Sequence, residues 1–326
     1  MTPRRAFLGT VAACLLVAPR ASRGQQARTV PIVGILHDRP AGPSAVIRTV
    51  QEGLRKLGYV EGQTITFDVR FGGGKPETLP SLARELAQRK VDVIVVVSAS
   101  ALRAARDATD TIPIVAINYE TDPVADGYAR SLARPGGNVT GLFADQPSLT
   151  GKWLELIREA VPGVRRVALL RDPTTGARQL DAATAAAQQL GMDLLVLEVQ
   201  YATDLDEVFR AATKAGSRAL AQLVSAAIDL NARRIAELTL RHGLPAISPF
   251  RAFAEGGGLM SYGPDQAAYH QEACVYVDKI LKGAKPADLP IEQPTKFLFI
   301  INLKTAKALR LSLPPSLVAR ADRVIE

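Results

Sequence analysis

Ser98 and Ser100 follow directly on the apolar run 91–97 and open the helical pattern 101–108, so two hydroxyls and several unpaired N–H groups gather at one strand end. That setting suits a carboxylate, and it suits an ordinary helix N-cap equally well. A second cluster, Asn118, Tyr119, Glu120, Thr121, Asp122 and Pro123, follows the run 112–117, and parallel neighbouring strands would bring it beside Ser98. Within it Asn118, Tyr119 and Asp122 are the candidates for a ligand, although Asp before Pro is also a common turn opener. Farther along, Asp172 stands after the run 167–170 and before Pro173, Ser225 follows the run 219–224, and Asp229 begins the next helical pattern. Phe250, Arg251 and Tyr262 flank the glycines at 256–258; the arginine suits a carboxylate, the aromatics stacking or an ammonium. Trp153, at helical spacing with Leu156 and Ile157, reads as packing.

Other chemistries lack their residues. His37, His242 and His270 are the only histidines, none at ligand spacing from another, and no HExxH occurs, so no metal site is expected. No GxSxG elbow is present. Cys14 lies in the N-terminal apolar segment, which leaves Cys274 as the one thiol of the body and excludes there an internal disulfide, a CxxC pair, a cysteine-built zinc site and two-thiol racemase chemistry. Gly72, Gly73, Gly74 and Lys75 suggest a phosphate loop, but Pro76 stands where a Ser or Thr would hold magnesium and the upstream glycine is missing. A loop between strand and helix is the better reading. The chain is therefore read as a non-enzyme without a cofactor.

The elements that must position these residues are short β-branched runs alternating with amphipathic stretches. Runs at 30–36, 91–97, 112–117, 167–170, 194–199, 219–224 and 244–247 suit buried parallel strands, and the patterns 45–57, 79–88, 101–108, 149–160, 176–190, 205–214 and 230–241 suit helices. Such alternation implies an α/β architecture, and because the series runs twice, with a break at 136–141, it implies two Rossmann-like lobes joined by a multi-strand hinge. The segment 249–263, which carries the glycines 256–258 and the apolar residues 259–262, reads as a second return between lobes, which assigns 28–144 and about 250–292 to the N-terminal lobe and 145–249 and about 293–326 to the C-terminal one. A ligand cleft would lie between the lobes, outside the carboxyl ends of the strands.

At 326 residues, 47% hydrophobic and 22% charged, the chain is long enough for about two domains. Four of its 40 basic residues fall in the first 24, leaving 36 against 32 acids, and a net +4 is too mild for a nucleic-acid surface. Residues 1–24 combine Arg4 and Arg5 with an apolar run from Gly9 to Ala18 and small residues before Gly24, the pattern of a cleavable signal peptide. The run is too short to span a membrane. Arg4-Arg5-Ala6-Phe7-Leu8 resembles a twin-arginine signal, with Pro3 and Gly9 departing from its flanks; lipidation at Cys14 is disfavoured by the apolar Leu15-Leu16-Val17 that follow.

From about Arg28 to Glu326 the chain resembles the substrate-binding proteins of ABC transporters related to the tryptophan and tyrosine binders. The strings that carry the resemblance are Ser131-Leu-Ala-Arg-Pro-Gly-Gly-Asn-Val-Thr-Gly141, Gly258-Leu-Met-Ser-Tyr-Gly-Pro-Asp265, Pro294-Thr-Lys-Phe297 and Ile301-Asn-Leu-Lys-Thr-Ala-Lys-Ala-Leu309. One departure is Arg310, where the family usually has glycine. The resemblance implies a type I periplasmic binding fold, a small organic ligand such as an amino acid or other carboxylate, a periplasmic monomer, and delivery to an ABC permease in the inner membrane. A two-lobed periplasmic sensor and a two-lobed transferase-type enzyme are the alternatives.

Overall fold

The computed structural model describes residues 30–118, 120–144, 147–174, 177–199 and 204–326; the expected signal peptide and Tyr119 lie outside the described residues. The first lobe is built on β1 (Ile32–His37), β2 (Thr66–Phe71), β3 (Val93–Val97), β4 (Ile114–Asn118) and β5 (Val139–Phe143), all parallel, in the order β2-β1-β3-β4-β5. Helices α1 (Ala45–Lys56), α2 (Leu79–Gln88) and α3 (Ala99–Ala108) make the crossovers. Central β3, Val-Ile-Val-Val-Val, is buried throughout because helices cover both faces, and β-branched side chains fill such a surface.

The second lobe holds seven strands: β6 (Arg166–Arg171), β7 (Asp193–Glu198), β8 (Ala219–Gln222), β9 (Ala246–Ser248), β10 (Met260–Pro264), β11 (Phe297–Asn302) and β12 (Arg323–Ile325). Their order is β12-β11-β10-β9-β8-β6-β7, and only the β10–β11 pair is antiparallel. Around them lie α4 (Ser148–Ala160), α5 (Ala177–Leu190), α6 (Leu205–Lys214), α7 (Ala226–Leu230), α8 (Ala232–Arg241) and α9 (Arg251–Glu255), with α11 (Leu303–Ala308) and α12 (Pro315–Ala319) near the C-terminus. Trp153 of α4 is buried, as its helical spacing indicates, and its indole N–H donates to the Tyr262 carbonyl at 2.7 Å.

Helix α10 (Gln266–Leu281) returns to the first lobe, burying Tyr269, Ala273, Tyr276 and Val277 against the first sheet. The return thus falls at Asp265, which caps α10 by accepting from the N–H groups of Ala267 and Ala268, and not near 250 as the sequence suggested. The reason is strand pairing: residues 260–262 are not a connection but part of β10, seated between β9 and β11. Glu292 still belongs with the first sheet, where its carbonyl accepts from Phe143 N–H and its N–H donates to the Gly141 carbonyl. Asp265 N–H donates to the Lys296 carbonyl at 3.0 Å, joining two of the crossing segments.

Two local features give direct tests. Arg310 sits at φ +55° just beyond α11, in the left-handed conformation that ends many helices and favours glycine. Arg310→Gly is expected to stabilise the chain by about 0.5 to 1 kcal/mol in urea unfolding, the relief of the left-handed penalty exceeding glycine's extra unfolded-state entropy. Cys274 is buried between α10 and α1, its thiol reaching the Val50 carbonyl at 3.5 Å, and burial pushes it up to about 11. Maleimide should therefore label it far more slowly in the folded protein at pH 7 than in urea; equal rates would contradict the packing.

Candidate functional site

Between the two sheets lies a cavity of about 50 Å³ lined from both lobes. Its first-lobe wall is the end of β1 with the residues after it, His37, Asp38 and Arg39, together with Val97, Ser98 and Glu120; α10 adds His270. Ala226, Asp229 and Phe250 come from the second lobe. In a sheet ordered 2-1-3-4-5 the connections leave β1 and β3 in opposite directions, which opens a crevice at their carboxyl ends. His37 ends β1 and Ser98 follows β3, so the cavity sits at that crevice.

Glu120 closes the gap between the lobes. One carboxylate oxygen accepts from the Ala99 N–H of α3 at 2.7 Å, and the other accepts from the Ala226 N–H of α7, across the cleft, at 2.6 Å. The carboxylate expected at the start of α3 is thus supplied by the chain itself. Burial raises the Glu120 carboxyl to about 7, against the lowering effect of those two N–H bonds, with Asp38 and Asp172 adding to the rise. Asn118 holds the loop in place by accepting from the Glu120 and Thr121 N–H groups at 2.7 and 3.0 Å.

Two ion pairs also bridge the lobes: Arg39 with Asp229, and Arg178 of α5 with Asp122. Asp229 is pushed upward by burial, which outweighs the Arg39 charge. Partial burial opposes ionisation of Asp122, but the Ala125 N–H and Arg178 hold its carboxyl below the usual range. His270, buried on α10, is lowered to about 4 by desolvation and is neutral at pH 7. His37 is 1% exposed; its Nδ1 lies 3.0 Å from Asp38 Oδ1, and its Nε2 has no hydrogen-bond partner.

The candidates read from sequence divide accordingly. Ser98, Asp229 and Phe250 line the cavity. Ser98 caps α3, accepting from Ala101 N–H at 3.3 Å, and holds φ +114° with ψ 162°, a conformation nearly reserved for glycine and the sort of outlier that collects at working sites. Ser100 touches the Ser98 hydroxyl at 3.1 Å. Ser225 caps α7 and donates to Asp172 at 2.9 Å, while Asp172 also accepts from the Thr174 N–H and hydroxyl. These two therefore brace the loop that presents Ala226 to Glu120. Asn118 shapes the Glu120 turn, and Asp122 caps its own turn through the Val124 and Ala125 N–H groups.

Arg251 and Tyr262 lie outside the cavity lining. Arg251 is largely exposed at the start of α9, 3.9 Å from Glu255, and the Tyr262 ring stacks on Phe297 and meets Phe299 edge-on, because β10 is a sheet strand rather than a loop. The residues that sequence reasoning passed over are His37, Asp38, Arg39, Glu120 and His270. A signal was available for the first three, since they follow the strand 30–36 just as Ser98 follows 91–97.

Two α/β sheets facing a cleft that both lobes line define a two-lobed ligand-binding protein. Residues 35–325 match the model of the ABC transporter substrate binding protein family, and the chain belongs to that family. A tyrosine-binding protein of Clostridioides difficile (strain R20291) is 24% identical over 261 residues, 79% of this chain and 74% of that protein. An ABC domain from Streptococcus pneumonia, solved in complex with L-Trp, superposes with a TM-score of 0.83 at 24% identity, covering 91% of this chain and 100% of that one. A ligand-free, open structure of a substrate binding protein with adhesive properties from Clostridium difficile gives 0.65 at 21% identity, over 91% and 99%. Proteins of this family bind small molecules for an ABC permease, are typically extracytoplasmic, and form no class of enzyme. Among the described residues no helix is long and apolar enough to cross a membrane.

Proposed function

We propose that this chain is the periplasmic receptor of an ABC importer, exported by its N-terminal signal, capturing one small organic ligand of the amino-acid kind between its lobes and presenting the closed form to the permease. The observation that carries the reading is Glu120, which joins N–H groups of both lobes at the cavity and makes lobe closure and site assembly one event. The relatives named for tyrosine and solved with tryptophan support an amino-acid-like ligand. The chain works as a monomer, its lobes meeting at crossings that include 264–266 and 292–297. Closure shifts a population toward the form the permease recognises, and no bond in the ligand is broken.

Calorimetry of the mature chain against amino acids, amines and carboxylic acids should give one site per chain with affinity on the order of micromolar, about −8 kcal/mol. Recovery of a chemically altered ligand would defeat the reading, as would silence across the panel. Mass spectrometry of protein recovered from cells should show a start near Gln25; an intact Met1 or a lipidated Cys14 would overturn the export route.

A further inference from the structure

The cavity is rich in hydrogen-bond acceptors, while the Arg39 guanidinium in its lining is turned to Asp229 and the Ser98 hydroxyl lies against Ser100. His37 lies 3.0 Å from Asp38 through Nδ1, and in the tautomer that donates from Nδ1 to this carboxylate Nε2 keeps its lone pair. That Nε2 is buried, belongs to a residue lining the cavity, and meets no partner. Each Glu120 oxygen takes one N–H, and a carboxylate oxygen has a second lone pair to offer. Asp38 and Asp229 complete the acidic lining.

Charge points the same way. Asp38, Glu120 and Asp229 face the cavity with one fixed cation among them, Arg39, whose guanidinium is turned to Asp229. His270 adds no charge at pH 7, because burial keeps it neutral. Volume narrows the choice: about 50 Å³ admits a few water-sized groups and no aromatic ring.

We infer that the ligand enters this cavity with a primary ammonium group, which donates to His37 Nε2 and Glu120 while the rest of the molecule lies toward the cleft opening. The ligand's own carboxylate is then dispensable, since Glu120 already satisfies the Ala99 and Ala226 N–H groups that such a group would seek. This rests on the receptor reading above and names its ligand class as organic amines, with amino acids as members that carry a carboxylate the cavity does not use. A cation over Glu120 would also relieve the burial that pushes its proton affinity up.

The test uses matched probes on the mature wild-type chain at pH 7.5: tyrosine, tyramine and 4-hydroxyphenylpropionate as one set, ornithine, putrescine and 5-hydroxyvalerate as another. Within whichever set binds, the amine should match or exceed the amino acid by calorimetry and the deaminated acid should lose at least tenfold. Glu120→Gln and His37→Leu, each with circular dichroism and unfolding midpoint checked, should weaken the amine at least tenfold. A deaminated acid that binds as well as its parent while the amine is silent would overturn the inference and leave the receptor reading standing. Tighter binding of an acid to Glu120→Gln would do the same, by showing that Glu120 competes with a ligand carboxylate. If no compound of any class binds, both readings fall together.

Discussion

Gly141→Ala is expected to destabilise the protein by about 3 kcal/mol or more, the sum of a strained backbone and a backbone clash. Gly141 lies in β5 at φ +123°, where side chains are rarely tolerated, and a methyl group there would stand 2.4 Å from the carbonyl oxygen of Ala116 and 2.6 Å from its nitrogen. Ala116 is the register partner of Gly141 in β4, so neither atom can move without breaking the sheet. The Glu292 N–H donates to the Gly141 carbonyl, and the cost therefore falls where the first sheet meets a crossing segment. Gly151 supplies the contrast: it lies inside α4, and a methyl there would meet only the Ala186 side chain at 3.5 Å, an ordinary contact. Gly151→Ala should be neutral or stabilising by up to about 1 kcal/mol. Urea unfolding of both variants separates the two cases, and equal midpoints would contradict the β4–β5 geometry.

What the sequence disclosed follows from burial. Strands covered on both faces, such as β3 and β4, are continuous apolar runs and stand out in any window. Edge strand β2, Thr-Phe-Asp-Val-Arg-Phe, carries Asp68 in ion pairs with Arg70 and with Arg89 at the end of α2, and its mixed character hides it. Strand β5 was obscured by the glycines before it and by Gly141 within it. The break at 136–141 was real in composition, but it introduces the last strand of the first sheet.

The site was half legible for a different reason. Ser98, Asp229 and Phe250 announce themselves by following strand ends or opening helices, which sequence patterns reveal. Which strand ends adjoin depends on strand order, and order is not written in periodicity. Placing Ser98 beside Asn118 was sound, since β3 pairs with β4, yet β3 pairs with β1 as well, and that second neighbour brings in His37, Asp38 and Arg39. Glu120 escaped because an acid in a turn next to Asn118 and Asp122 has nothing in sequence to mark it as buried. Only closure of the second lobe, with Ala226 brought over it, makes that carboxyl the centre of the cleft.

In the unliganded protein the closed form is expected to lose ground as pH rises from about 4.5 through about 7. Glu120 is buried when the lobes meet and its carboxyl is raised from 4.5 to about 7; with the lobes apart, water reaches it and the ordinary value returns. The closed form therefore holds the proton more tightly, and closing takes one up within that window. Below about 4.5 both forms are protonated and closure carries no penalty from this group; above about 7 both are ionised and the full penalty applies. The difference corresponds to about 3 kcal/mol, enough to invert a modest preference for closure. Asp229, also raised by burial, acts in the same direction, while Arg39 opposes it; His270, lowered to about 4 by burial, is neutral in the closed form across the window. Small-angle scattering at pH 5 and pH 8 should show the larger radius of gyration at pH 8. Glu120→Gln should flatten that difference, and an unchanged pH response in the variant would move its origin elsewhere. A bound amine should flatten it in the wild-type chain too, since a cation beside an ionised Glu120 offsets the burial that otherwise favours the protonated acid. Titrating the radius with tyramine or putrescine at pH 8 thus reads closure and ligand charge in one experiment, with an acid of the same skeleton as the control.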